Sequence, residues 1–266
     1  MQVIHPQVPY QNLPPEDVFI AVDDMGTELG MGYIIYLYQP HLYPDCPVNL
    51  YFTMECQAVA RYLLFGALVA RARQLRDNNP GVRARVYTNI SPTDTRMKDF
   101  FLHNGFSCDD TEDLLTLEIP AGDGRIPMSC SVVAAALNTP EEQMAFIGRM
   151  QQNDLTYMNL DYLTALQHQP HFLALGLYRN ADLIGEIVMA GQGETCDLVA
   201  VYIVPGSRRQ GMARALLHRS MAVMATEGVT QVTTRIMSRS IPQARLMASF
   251  GAQVQGVSTI YPGLFL

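Results

Sequence analysis

The 266-residue sequence predicts an α+β protein built from two similar halves. Three observations carry this. Stretches of strand-like and helix-like periodicity follow one another along the whole chain. One of them, over 198–224, is an apolar strand, a glycine-bearing turn and a helix. The last helix of each half closes on a glycine, Gly105 and Gly251, which stand 146 residues apart, close to half the chain, and that offset suggests duplication.

In the first half, 18–22 and 31–38 are expected as strands around a turn over 23–30, and 48–54 as a third strand. A long helix is expected over 57–75. Asn78-Asn79-Pro80-Gly81 makes a turn before a strand over 82–88, and a helix over 94–103 stops at Asn104-Gly105-Phe106. The segment Ala121-Gly122-Asp123-Gly124-Arg125 is small and polar and suits a boundary, which gives domains of 1–125 and 126–266.

In the second half, 128–136 is expected as a strand. Thr139-Pro140-Glu141-Glu142 then starts a helix, with threonine as cap, proline at the first helical position and glutamate three after the cap. That helix runs to about 151 and a shorter one follows over 161–168. Strands are expected over 172–178 and 183–190, then the strand that leads into the glycine turn. Gly228 ends the next helix. A strand over 229–237, a helix from Ser240-Ile241-Pro242 to Gly251, and closing strands around Val254, Val257, Ile260 and Tyr261 complete the half.

Composition narrows the classes. With 48% hydrophobic and 16% charged residues a packed core is expected, not disorder. The amino-terminal residues lack a basic region followed by an apolar one, and no apolar run is long enough to span a bilayer, so a cytoplasmic protein without a membrane partner is expected. The five cysteines form no Cys-x-x-Cys pair and no residues have metal-ligand spacing, so free thiols and no metal are expected. A net charge of −7 argues against a nucleic-acid partner. The first 125 residues hold 16 acids and 9 bases, the remainder 9 of each. An acidic half beside a neutral one points to a cationic small-molecule or peptide partner, with an ordinary soluble surface as the alternative; a homodimer is left open.

The segment with most chemical content is Arg208-Arg209-Gln210-Gly211-Met212-Ala213, which follows the apolar run 198–204 and Pro205-Gly206. A helix start after such a turn leaves N–H groups unpaired at the positive end of the helix dipole, and a phosphate fits there. Gly211 lets backbone approach a ligand, and Ala213 keeps the helix close to the strand. The pattern Arg-x-x-Gly-x-Ala after a strand resembles the acyl-coenzyme A signature of the GCN5-related N-acetyltransferase (GNAT) superfamily, and the element order of 126–266 resembles that fold.

The resemblance implies two GNAT-like domains, each a mixed, mostly antiparallel sheet flanked by helices, the first one degenerate. It implies acetyl-CoA as cosubstrate and direct acetyl transfer to an amine. Val201, Tyr202 and Ile203 would face the pantetheine arm, on a strand edge that splays from its neighbour. The N–H groups from Arg209 through Gln210, Gly211, Met212 and Ala213 to Arg214 would hold the pyrophosphate, Arg208, Arg209 and Arg214 would add charge, and Ser240 would join the coenzyme site. In the first half Met54-Glu55-Cys56-Gln57 stands where the turn would be, without a glycine and with an acid.

Proton transfer is less determined. Many relatives carry a tyrosine four residues before the final glycine of the last helix; here that position is Met247, and Phe101 in the first half. A thioether cannot donate a proton. Tyr202 or Tyr261 would serve instead, or the thiolate would leave without an acid. Arg235 stands where some relatives have a glutamate base, so Asp197 is the first candidate base, with Glu186, Glu194 or a water relay as alternatives. His168 and His171 flank Pro170 on the presumed acceptor side. The alternative to an enzyme is an acyl-CoA-binding sensor that has lost catalysis; a third reading is transfer to an acceptor other than an amine.

Overall fold

The computed structural model describes residues 1–266 except 41, 42, 123, 154 and 156. Thirteen strands are present among the described residues: β1 Gln2–Ile4, β2 Val18–Val22, β3 Glu28–Tyr38, β4 Val48–Cys56, β5 Ala84–Tyr87, β6 Thr111–Glu118, β7 Cys130–Ala134, β8 His171–Arg179, β9 Asp182–Gln192, β10 Thr195–Ile203, β11 Gln231–Met237, β12 Gln253–Ile260 and β13 Gly263–Phe265. The six α-helices among the described residues are α1 Arg61–Arg76, α2 Thr95–His103, α3 Pro140–Gln152, α4 Leu160–Gln167, α5 Met212–Thr226 and α6 Ile241–Ala248.

The first unit comprises residues 1–111 and 259–266. Its sheet has the order β1-β2-β3-β4-β5-β13, antiparallel except for the β4–β5 pair. One core fills it, with Leu64, Leu68 and Ala72 of α1 packed on Ile34, Leu50 and Phe52 of the sheet. Phe65, Phe100, Phe101 and Phe106 join Phe52 in edge-on ring contacts. Phe101, the residue at the tyrosine position of this half, is 1% exposed inside that cluster and fills space. α2 starts on an Asp94 side chain that accepts the Met97 N–H.

The second unit comprises residues 112–258. Its sheet has the order β12-β6-β11-β10-β9-β8-β7, and among its registered pairs only β10–β11 is parallel. Strand alternation gives it two buried faces. Leu198, Met189 and Val232 pack with α5 and α6 through Leu216, Leu217, Met221 and Met247, while Ala174, Val188 and Ala200 pack with α3 and α4 through Phe146, Met150 and Leu163. The Thr139 capping box at α3 forms as the sequence predicts, with both reciprocal bonds present.

The compact units divide at 111/112 and 258/259, not at 125/126. The reason is an exchange of closing strands. β6, which precedes the glycine-rich segment 121–125, lies between β11 and β12 in the second sheet. The chain end expected to close the second half runs instead into the first sheet, where β13 pairs with β5. There Arg85, 1% exposed, donates to the Tyr261 carbonyl at 2.9 Å and forms an ion pair with Asp110.

Candidate active site at the parting of two central strands

β10 pairs with β11 only over Thr195–Asp197, ending at Asp197↔Thr233. Beyond that point β11 continues along β6 to Met237, and β10 continues along β9 to Ile203. The two strands therefore part, and Thr234 Oγ1 donates to the Leu198 carbonyl at 3.0 Å at the apex. A bulge between Leu198 and Ala200 breaks the β9–β10 register. It has a specific effect: Cys196 and Leu198 face α5 and α6, while Ala200 and Tyr202, also even-numbered, face α3 and α4. The Val204 N–H donates to the Ile184 carbonyl, so by alternation Val201 and Ile203 turn their N–H and C=O groups away from β9 and toward the opening. At its two ends this edge is held by side chains. The Tyr157 hydroxyl donates to the Val199 carbonyl at 2.9 Å, and Arg208 Nε to the Ile203 carbonyl at 2.7 Å.

The chain leaves β10 through a 3-10 turn, Pro205–Ser207, and reaches α5 through two left-handed residues, Arg209 at φ 60° and Gly211 at φ 77°. Left-handed backbone costs a non-glycine residue about 1–2 kcal/mol, so Arg209 is held there by its surroundings. Gly211 is the N-cap of α5 and no side chain caps the helix. The Ala215 N–H is the first to find a helical carbonyl, that of Gly211, which leaves Met212, Ala213 and Arg214 with the orphan donors of a helix start. Successive backbone N–H groups in such a turn make an anion-binding concavity. Arg209, Gln210 and Arg214 are exposed around it, and Arg179 donates to Gln210 Oε1 at 2.8 Å. A cavity of about 540 Å³ opens beside the first turns of α5, lined by Gly124, Arg125, Gly211, Arg214, Ala215 and His218 among others. Among the described residues His218 Nε2 is buried without a hydrogen-bond partner.

On the α3/α4 face below the bulge, Arg149 makes a two-point contact with Glu186, Nε to Oε2 at 3.0 Å and Nη2 to Oε1 at 2.8 Å, and the Tyr202 hydroxyl donates to Glu186 Oε2. Glu186 is 1% exposed, so this pairing is what allows a carboxylate there. Burial, and then the bond to Glu186, push the Tyr202 phenol well above the usual tyrosine range; Arg149 is raised first by its own bonds to Glu186. Closer to the apex, Asp197 is exposed and accepts from Thr233 Oγ1. The rings of Tyr157 and Tyr162 meet edge-on at 6.1 Å. Tyr162 is raised first by burial and then by Asp197, and lowered by Arg235.

No protein-family model and no curated protein matches the chain. Solved structures do. A GCN5-related N-acetyltransferase from Sphaerobacter thermophilus superposes with a TM-score of 0.52 over 96% of this chain and 82% of its own, at 14% identity. Eis1 from Mycobacterium abscessus gives 0.52 over 92% of this chain and 63% of its own, at 12% identity. A conserved protein from Enterococcus faecalis V583 gives 0.54 over 92% and 61%, at 10% identity. The chain has the GCN5-related N-acetyltransferase fold. It has it twice, in two GNAT-like units, and identities this low speak for fold alone.

Within the second GNAT-like unit, the structure brings Val201, Ile203, Arg208, Arg209, Gln210, Gly211 and Arg214 to the opening and its turn. Met212 lies under the turn, 6% exposed, with Cys130 Sγ 4.0 Å from its sulfur, and Ala213 packs beside it against the same core. Ser240 is the buried N-cap of α6 and makes no side-chain cap bond. Met247 is 2% exposed in the α5/α6 core. Glu194 lies in the turn before β10, where its carbonyl accepts from Thr230 and Gln231. Tyr261 belongs to the first GNAT-like unit. His171 is fixed between Glu227 and the Gly193 carbonyl, and His168 sits on the Thr164 carbonyl, so both are explained by local structure. Sequence reasoning missed Arg149, Tyr157, Tyr162 and Thr233. The signal for the tyrosines was there: they flank Asn159, whose side chain caps α4, with Tyr157 in the connection between α3 and α4 and Tyr162 in the first turn of α4.

Among the described residues no group of three His, Cys, Asp or Glu residues could hold a metal, all five cysteines are unpaired, and no helix is long and apolar enough to cross a membrane. Burial and nearby acids lift the Cys196 thiol to about 12, so it is a poor nucleophile near neutrality.

Proposed function

We propose that the chain is an acetyl-CoA-dependent N-acetyltransferase that moves an acetyl group directly to an amine. The observation that carries this reading is the uncapped, doubly left-handed turn at Arg209–Gly211, placed at the end of a strand whose edge is open beyond the apex. The turn supplies N–H donors and the helix dipole to a pyrophosphate. The open edge supplies Val201 and Ile203 to pair with the pantetheine amides as a strand would, which brings the thioester toward the bulge. The far end of the donor, beyond the pyrophosphate, has room in the cavity beside α5.

In this reading the amine nitrogen attacks the thioester carbonyl carbon, an N–H group of the open edge stabilises the oxyanion, and collapse expels the coenzyme thiolate. Asp197 is exposed at the apex and takes a proton from the acceptor ammonium, directly or through water, so that the free amine can attack. The Tyr202 hydroxyl is engaged with Glu186, so in this reading it fixes the strand and the thiolate leaves without a side-chain acid.

The test is calorimetry with acetyl-CoA, followed by thiol release with amines. Binding that is lost in Gly211→Asp, with thiol release that is lost in Asp197→Asn, is the expected result. No binding of acetyl-CoA would remove the reading. Binding without turnover on any amine would favour a sensor, the second reading, which is motivated by Met247 lying in the core where a proton donor would stand.

A further inference from the structure

We propose that the acceptor is an amine that carries a carboxylate close to its amino group, bound with the ammonium end at Asp197 and the carboxylate at Arg235. The proposal rests on the transferase reading and narrows it to one substrate class.

Its basis is the sheet face on which the acceptor must arrive. Asp197 pairs laterally with Thr233, and Arg235 follows two residues along β11 on the same face, about 7 Å beyond Thr233 on the side where the strands have parted. The alternation is fixed by Val232 and Ile236, which are buried on the other face. Asp197 and Arg235 are both exposed. Among the described residues neither has an ion-pair partner, and they do not pair with each other. Opposite charges on neighbouring strands usually find each other when the strands stay together. Here the strands part between them, and the separation leaves room for a small molecule with both charges.

The neighbours fit such a molecule. Tyr157 is anchored by its hydroxyl at the Val199 carbonyl, at the bulge where the acetyl group would lie, and its ring meets Tyr162. The phenol of Tyr162 feels Asp197 and Arg235 with opposite sign, so both charges reach the same place. Tyrosine rings also provide faces for an ammonium group. An acceptor that was only cationic, such as a polyamine, would gain at Asp197 and lose at Arg235. A carboxylate beside the amine turns the second contact favourable, in the two-point geometry that guanidinium groups offer. The chemistry balances: the nitrogen forms the amide bond, the carbon–sulfur bond breaks and the coenzyme leaves as thiolate, while two protons leave the nitrogen, one from the ammonium before attack and one from the tetrahedral adduct, and both pass through Asp197 to solvent. The carboxylate takes no part in bond making.

The experiment measures thiol release at saturating acetyl-CoA with the proteinogenic amino acids and with their carboxamides, which differ only in the missing negative charge. Turnover of at least one amino acid, with a KM at least tenfold below that of its amide, is expected. Arg235→Ala should raise KM for that amino acid tenfold or more and leave the amide within twofold, while Arg235→Lys recovers part of the difference. Equal use of acid and amide, turnover only of amines without a carboxylate, or an equal loss on both in Arg235→Ala overturns the proposal. If acetyl-CoA binds and no amine of any kind is turned over, the transferase reading itself fails and the acceptor assignment falls with it. Arg235 is exposed, and an unchanged melting temperature confirms that the variants fold.

Discussion

Replacing Gly211 by aspartate should lower the protein's stability by no more than about 1 kcal/mol and leave it nearly unable to bind its donor. Gly211 is the N-cap of α5 with φ 77° and ψ 0°, and a Cβ built there meets nothing within 4 Å. The left-handed backbone costs a β-carbon about 1 kcal/mol, less for aspartate than for most residues. Aspartate is also among the best N-caps, better than glycine by about a few tenths of a kcal/mol, and its charge suits the helix start. The two effects cancel to within about 1 kcal/mol in the free protein. For a bound pyrophosphate the same carboxylate is a like charge. At about 5 Å and an effective dielectric of about 20, one carboxylate–phosphate pair costs about 3 kcal/mol, a loss of affinity somewhat over a hundredfold. Gly211→Ala keeps the strain and adds neither cap nor charge, so it should lower stability by about 1–2 kcal/mol and affinity far less than aspartate does. Urea unfolding of the free variants and calorimetry with acetyl-CoA read the two quantities separately. Affinity of Gly211→Asp within threefold of the native protein would refute the cradle.

Three further outcomes follow from buried groups. Gly263→Ala places a Cβ 2.2 Å from Arg85 Nε and Nη2, and the guanidinium is held by Asp110 and the Tyr261 carbonyl; displacing a buried pair costs about 3 kcal/mol or more, read as a lowered urea midpoint and faster hydrogen exchange in β5 and β13. Glu186→Gln removes the charge that Arg149 and Tyr202 share, but Arg149 is 35% exposed and can turn to water, so a loss of about 1–3 kcal/mol is expected with donor affinity unchanged. Tyr87 and Tyr202 are pushed above the ordinary phenol value of about 10, chiefly by burial, so below that pH both states keep the protons and stability is flat. Above it the unfolded chain releases protons that the folded chain retains; stability therefore falls as pH rises, by up to about 1.4 kcal/mol per unit for each group, and Tyr202→Phe should flatten the decline in an alkaline melting series.

What the sequence disclosed depended on how local the cause was. The cap at Thr139 and the glycine turn are decided within a few residues, and both were legible. β6 was not recognised because Glu112, Asp113 and Glu118 dilute its pattern and only Leu115 and Leu117 are buried. Its place depends on a pairing with β12, where Ser258 Oγ donates to the Glu112 carbonyl across 146 residues of chain. No local periodicity encodes that partnership, so the exchange of closing strands was invisible, and the boundary was drawn at the glycine-rich segment instead. The same limit applies to the site. The turn can be found by spacing, whereas the Arg149–Glu186–Tyr202 contact requires α3 to dock on β9 and β10 first.

The two units also explain, in backbone terms, why one phosphate cradle is expected and not two. In the first unit β4 and β5 pair through Tyr51↔Tyr87, and β4 then runs on to Cys56 beside β3 alone, so an open strand edge exists there as well. The difference lies in how the chain enters the helix. After β4, a 3-10 turn at Ala58–Ala60 runs straight into α1, with the N-cap Ala60 already in right-handed helical conformation. The N–H of Ala60 bonds to Gln57 and that of Arg61 to Ala58, so donors that would face a ligand are spent on the turn. In the second unit the corresponding turn ends at Ser207, Arg208 is extended, and the two left-handed residues reset the chain direction before α5 begins. That interruption is what leaves the donors uncommitted. A glycine placed in the first unit would not restore the site by itself, because the continuous helical entry, not the side chain, consumes the N–H groups.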